Sequence, residues 1–224
     1  MPAPNLIASA LIQRTKTIKI AVLGRALPIV GNPINIAEEF AMLDVLLKGR
    51  IIAGFVRGIG AEYHATDVNP AFSHERFHEA HDIIVKAWMS TGPFEFEGDH
   101  FRNRYVNLWP RPYQTPHPPV WISSMGSHET IEWASAPERK YLFLVTFSSE
   151  AAVVRYLNMY REAAQAHGYA ASGSQLGWAV PLYVADTDAR AREEARAGIE
   201  TLFNNFLPMP WECCCRPATR PLPR

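Results

Sequence analysis

Residues 18–56 read IKIAVLGRALPIVGNPINIAEEFAMLDVLLKGRIIAGFV, and the fold turns on this stretch. Residues 18–23 (IKIAVL) are a β-branched apolar run of the length and type found in a buried strand. A loop with Pro28 and Gly31 follows, and Asn32 then stands where a helix cap is needed, with Pro33 at the first helical position. Ile36, Phe40, Leu43 and Leu47 recur at helical spacing until Gly49 closes the segment. Arg50 leads directly into a second buried run, residues 51–56 (IIAGFV). Strand, helix and strand in such close succession make a βαβ unit, whose strands are parallel neighbours joined by a right-handed crossover.

Outward from this unit the alternation continues. Ser73 opens a helix with Phe77, Ala80, Ile84 and Trp88 on its apolar face, and Gly92 and Pro93 end it. Residues 94–119 break the pattern: FEFEGDHF predicts a hairpin turning at Gly98 and Asp99, and WPRPYQTPHPP is too rich in proline for regular structure, so the segment reads as an insertion. Strands are predicted at 120–123, 141–145 and 178–185, each trailed by a helical pattern. The clearest of these helices covers 150–167, with Val153, Tyr156, Leu157, Tyr160 and Ala164 on one face and Gly168 as its stop. Five parallel strands with intervening helices suit a doubly wound sheet or part of a (β/α)₈ barrel. GRALPIVGNP after the first strand lacks the glycine fingerprint of a dinucleotide fold, which favours the barrel. A complete barrel takes roughly 250 residues and eight strands. The expectation is therefore an incomplete α/β TIM barrel about three strands short, beginning in a helix at 6–14.

Composition limits the function. The chain has 224 residues, 48% of them hydrophobic and 20% charged, enough to bury a core. Its 22 Lys and Arg balance 22 Asp and Glu, which removes the general electrostatic ground for a nucleic-acid or anionic-membrane partner. No apolar run approaches the ~20 residues of a membrane span, and the opening MPAPNLIASALIQRTKT has its basic residues after the apolar ones, so a cytoplasmic location is expected. Cys213, Cys214 and Cys215 are consecutive, a poor arrangement for disulfides or a tetrahedral metal. The expected division is a barrel domain over 1–211 and an unstructured tail over 212–224.

In a barrel, ligands bind at the carboxyl ends of the strands. Arg57 follows the strand ending at Val56, with Gly58 and Gly60 beside it: a permanent fork-shaped cation where an anion can approach backbone. The competing reading is a rim arginine paired with Glu62 or Asp67. After Ser123, the residues Ser124, Gly126 and Ser127 precede a helix that starts near His128, and its free N–H groups with the serine and threonine hydroxyls form an anion site suited to phosphate. A plain N-cap, Ser127 with Glu129 in the first turn, accounts for the same residues. His74 and His78 have the i, i+4 spacing of a zinc pair, but without an HExxH pattern the group His74, His78, His81 and Asp82 reads as a solvated face, and no metal is expected. There is no G-x-S-x-G elbow, and most tryptophans and phenylalanines fall at core spacing.

The stretches NPINIAEEFAMLDVLLKGRIIAGFVRG, SHERFHEAHDIIVKAW, FEFEGDHF, NLWPRPYQTPHPPVWIS and GSHETIEWA resemble, in this order and spacing, the luciferase-like flavin-dependent monooxygenases. The resemblance runs from about Leu6 to about Trp211. It implies that the phosphate of flavin mononucleotide (FMN) is held by Arg57, the backbone of Gly126, the hydroxyl and N–H of Ser127, and Thr130. It further implies a monooxygenase using dioxygen and reduced FMN, supplied by a separate flavin reductase, on a small organic substrate, with a homo-oligomer possible. Relatives that transfer hydride with the deazaflavin F420 give a second reading. A third is a truncated, inactive relative serving at most as an interaction partner, because the family's first two strands and its final strand and helices are expected to be missing. Two positions depart from the family pattern: NPINI follows Gly31 where relatives often have histidine, and His128 stands where many have proline.

Overall fold

The computed structural model describes residues 3–202 and 204. Ile20–Ala26 (β1), Pro33–Leu47 (α2) and Ile51–Val56 (β2) form the predicted βαβ unit, preceded by Pro4–Leu11 (α1). β1 and β2 pair in parallel from Ile20↔Ile51 to Ala26↔Val56. β1 continues past Leu23, where the apolar run ends, because an irregularity between Val22 and Arg25 lets the strand pass Gly24 and resume its ladder. Asn32 caps α2 as expected, its side chain accepting from the Ile34 N–H at 3.1 Å. Ile51, Ile52, Ala53 and Phe55 are all buried, so both faces of β2 are covered, as the unbroken apolar run requires.

Val120–Ser124 (β5), Leu142–Thr146 (β6) and Leu176–Ala179 (β7) complete a five-stranded sheet of order β1-β2-β5-β6-β7, parallel at every pairing. The expected five parallel strands are therefore present. The last strand lies earlier and is shorter than predicted. β6 offers its final partner at Thr146↔Ala179, so the apolar residues beyond it, Val180, Leu182 and Val184, have no ladder to join and lie exposed.

The connections are helical. Ser73–Met89 (α4), His128–Ser135 (α5), Glu150–Ala166 (α6) and Asp188–Thr201 (α7) match the predicted patterns. The short helix Gly60–Ala65 (α3) and a 3₁₀ turn at Pro70–Phe72 were not anticipated. The hairpin forms as predicted, Phe94–Glu97 (β3) against Arg102–Val106 (β4). It is held to α4 by Glu79, whose carboxylate accepts the N–H groups of Asp99, His100 and Phe101 at 2.9, 3.0 and 3.1 Å. The Cys213–Cys215 tail lies outside the described residues.

The core is centred where α2 and α4 meet β2. Phe40, Phe55 and Trp88 pack with ring centroids 5.8 to 6.3 Å apart, and the Trp88 indole N–H donates to the Ala37 carbonyl at 3.0 Å. Asp44, fully buried, accepts from the Gln114 backbone and side chain at 2.8 and 2.7 Å, which ties the proline-rich segment beneath the sheet.

The histidines of α4 correct the expected solvated face. His81 is 4% exposed, donating through Nδ1 to Asp82 at 2.9 Å and accepting at Nε2 from the Tyr141 hydroxyl at 2.8 Å. His78 lies stacked on Trp133, whose other close neighbours include the Arg139 guanidinium. His78 and His81 pack against the Trp133 ring of α5, while Asp82 stays exposed. Burial, the leading cause, holds His74, His78 and His81 below the ordinary histidine value of 6.5.

Two expectations concern stability. A Cβ on Gly54 would lie 2.3 Å from the Val22 carbonyl oxygen, so β1 and β2 must separate to admit it. Gly54→Ala is expected to cost ~1–3 kcal/mol in urea unfolding, the usual range for overpacking. The three histidines bind more protons unfolded than folded between their native values and 6.5. Their contribution is thus complete above 6.5 and is lost as pH falls through the native values. The melting temperature should drop on acidification below that point, and less steeply in His81→Gln.

Candidate functional site

β2 and β5 are parallel and in register at Phe55↔Ile122, so the segments leaving their carboxyl ends emerge side by side. From β2 comes Arg57, half-buried. Its carbonyl accepts from the Tyr63 hydroxyl, and Gly58, at φ +93°, turns the chain into α3. Glu62 does not pair with the guanidinium: it accepts from the Ile59 N–H at 2.9 Å and caps α3. Among the described residues no ion pair joins it to Asp67 either. The rim-arginine alternative is therefore not what the structure contains. The Arg57 guanidinium instead donates from Nη1 to His74 Nε2.

From β5 comes the loop into α5. Ser124 Oγ accepts from the N–H groups of Gly126 and Ser127 at 3.2 and 3.4 Å, gathering two backbone donors around one oxygen. Gly126 has φ +97°, and the Tyr156 ring lies 2.2 Å from where a Cβ would stand, so both conformation and packing require glycine. Ser127 occupies the N-cap position with extended backbone, yet its side chain makes no cap hydrogen bond. The plain N-cap reading thus fails for the hydroxyl, which the helix leaves available. Thr130, one turn along, is buried.

The two halves are joined by a contact between residues far apart in sequence. His74 Nε2 lies 3.0 Å from Glu129 Oε2 in the first turn of α5, and the same nitrogen accepts from Arg57. The structure therefore brings Arg57 to the edge that carries Gly126, Ser127 and Thr130, through His74. His74 is held low by burial first and by Arg57 second, with Glu129 opposing. Neutral at Nε2, it serves as acceptor for the guanidinium. Its part was not legible because i, i+4 spacing within α4 says nothing about a partner at position 57.

Next along the same edge, the Thr146 hydroxyl donates to the Ser124 carbonyl at 3.5 Å, tying β6 to β5. Beyond it a cavity of about 250 Å³ is lined by Phe147, Ser148, Trp178, Ala179, Val180 and Pro181. Phe147 has φ +49°, uncommon for a bulky L-residue, and is 56% exposed. Sequence reasoning missed this wall because it ended one strand at 145 and began the next, at 178–185, with Trp178. Among the described residues no group of three or more His, Cys, Asp or Glu side chains is arranged for a metal. None of the described helices is long and apolar enough to cross a membrane.

The polar half suits a phosphate. Among the described residues it offers a guanidinium with no carboxylate ion pair, two amides gathered on Ser124 Oγ, a Ser127 hydroxyl that makes no cap hydrogen bond, and a helix N-terminus. An α/β protein with clustered hydrogen-bond donors and a cavity along one carboxyl edge of a parallel sheet is the class so defined. Comparison with known sequences then assigns the family. The profile of the luciferase-like monooxygenases matches residues 1–211, and the chain belongs to that family.

Similar relatives include an uncharacterised protein of Sinorhizobium fredii, 36% identical over 135 residues, covering 60% of this chain and 39% of that protein. The 2,5-diketocamphane 1,2-monooxygenase 2 of Pseudomonas putida is 26% identical, covering 92% of this chain and 60% of its own. The alkanal monooxygenase beta chain of Vibrio harveyi is 29% identical, covering 88% and 60%. The chain thus spans between 39% and 60% of the length of these relatives.

Solved structures share the fold. Monooxygenase RslO1 from Streptomyces bottropensis superimposes with a TM-score of 0.81 at 24% identity, covering 92% of this chain and 62% of that one. The oxygenating constituent of 3,6-diketocamphane monooxygenase of Pseudomonas putida, in complex with FMN, gives 0.77 at 22%, covering 93% and 61%. An F420-dependent secondary alcohol dehydrogenase gives 0.72 at 22%, covering 95% and 65%.

The cradle has its own test. Gly126→Ala introduces a methyl group where Tyr156 stands and a residue disfavoured at this φ. It should lower the melting temperature and abolish protection of the loop by phosphate in hydrogen exchange. Tyr156→Ala added to Gly126→Ala should relieve the clash but not the backbone cost.

Proposed function

We propose that this chain is the flavin-binding part of an oxygenase component: a monooxygenase that uses dioxygen and reduced FMN, delivered by a separate reductase, on a small organic substrate. The observation that carries the reading is the Arg57 guanidinium, bonded to His74 and in no carboxylate ion pair among the described residues, on the same strand edge as the Ser127 hydroxyl that makes no cap hydrogen bond. Arg57 would bind the phosphate as a charge-assisted fork, the amides of Gly126 and Ser127 would turn from Ser124 Oγ, which they now meet at 3.2 and 3.4 Å, to the phosphate oxygens, and Thr130 would close the inner side. FMN supplies the redox chemistry when bound; the protein positions it and limits water around it. The cavity beside Phe147 and Trp178 suits an apolar, planar guest. Family membership supports the same assignment, as do the named activities of the Pseudomonas and Vibrio relatives.

Hydride transfer with F420 is the second reading, favoured by the likeness in fold to the F420-dependent alcohol dehydrogenase. Both cofactors carry a phosphate, so the cradle suits either. Parallel titrations with FMN and F420 discriminate, with tighter binding of FMN expected.

Fluorescence quenching by FMN tests the site. Arg57→Ala and Ser127→Ala should each weaken binding by ~1.5–3 kcal/mol, the range of a hydrogen bond to a charged group. Unchanged affinity in the double variant would remove the phosphate assignment. Oxygenation of a substrate panel with a flavin reductase and a reduced-nicotinamide donor tests the activity itself.

A further inference from the structure

His74 stands between a cation and an anion, and one nitrogen meets both. Its Nε2 accepts from Arg57 Nη1 and lies 3.0 Å from Glu129 Oε2. A single imidazole nitrogen cannot serve both neighbours in one protonation state. Unprotonated, it satisfies Arg57 but turns a lone pair toward the Glu129 carboxylate. Protonated, it donates to Glu129 but turns an N–H toward the guanidinium. Burial and the Arg57 charge favour the first state, and the Glu129 charge favours the second. Among the described residues, the other charged or titratable groups facing His74 are on its own helix: Glu75, and His78, whose ring centroid is 6.2 Å away.

A dianion bound by Arg57 changes this balance. It neutralises the field of the guanidinium, competes with His74 for the guanidinium's N–H groups and adds negative charge to a cluster whose sum was zero. Nε2 then faces two anionic groups and has lost the donor that occupied its lone pair. Resting on the phosphate reading of the site, we propose that His74 takes up one proton from solvent when a phosphate binds beside Arg57, switching its Nε2 from acceptor for Arg57 to donor toward Glu129. No bond to the ligand is made or broken; the imidazole gains a proton and the Glu129 carboxylate gains a hydrogen bond. His74 is thus a positioning residue for Arg57 and couples phosphate affinity to pH.

The coupling has a sign. Where binding takes up a proton, affinity falls as pH rises through the histidine's value in the complex. A phosphate monoester is already the dianion above its second pKa of about 6, so its own titration does not produce a loss of affinity at higher pH.

Isothermal titration of the full chain with FMN, in buffers of differing ionisation enthalpy at pH 7.5, measures the proton directly. The wild type should take up roughly half a proton or more per FMN, and its Kd should weaken several-fold from pH 7.5 to 9. His74→Asn should show no uptake and a flat Kd over that range. Glu129→Gln should lower the uptake, and His78→Asn should retain it. Riboflavin, which lacks the phosphate, should bind without uptake. FMN binding with no proton uptake, or with equal uptake in wild type and His74→Asn, would overturn the inference and leave the phosphate site intact. Failure of the wild type to bind FMN would overturn both.

Discussion

Parallel pairing of Ile51–Val56 with Val120–Ser124 is the constraint on which the rest depends, because it decides which loops are neighbours. Two parallel strands in register point their carboxyl ends the same way, so whatever follows each strand is delivered to a common edge. Here one strand delivers a guanidinium and the other a helix N-terminus. β2 is buried on both faces, and the Phe40, Phe55 and Trp88 cluster fixes it against α2 and α4. Positioning of Arg57 is thus inherited from the core, and the entropy of ordering its backbone is met by packing far from the guanidinium.

The edge is divided by chemistry. The end of β2 and the loop after β5 supply donors for an anion, while the segments after β6 and β7 supply an aromatic-lined cavity. A phosphorylated ligand with an apolar ring system has the same division. The Thr146 hydroxyl spans the boundary by reaching the Ser124 carbonyl, so the two halves cannot shift independently. At this edge Phe147 is a bulky residue at positive φ, while Gly58 and Gly126 take positive φ without steric cost.

Electrostatics around Arg57 differ from those of a simple rim cation. Its neighbour is a histidine, not a carboxylate, so the guanidinium retains its attraction for an anion. The carboxylate that does approach, Glu129, meets the same imidazole nitrogen at 3.0 Å. A direct ion pair would have to be broken for phosphate to bind, whereas a hydrogen bond to a neutral ring is a weaker competitor.

Much of this was legible in the chain itself. Residues 32–56 announce their cap, helical face and buried strand in local chemistry, and the structure follows them closely. Arg57, Gly126 and Ser127 could be singled out because strand ends and helix starts are local signals, whereas Thr130 was named only through the family resemblance. The structure added what periodicity cannot carry. It turned the α4 histidines from an expected wet face into a packed layer against Trp133, cut the last strand at Ala179, and made Phe147 a wall of the cavity. The contact of His74 with both Arg57 and Glu129 depends on three elements meeting in space. Sequence determines the pattern along each element; the relation between elements arises only when burial of their apolar faces brings them together.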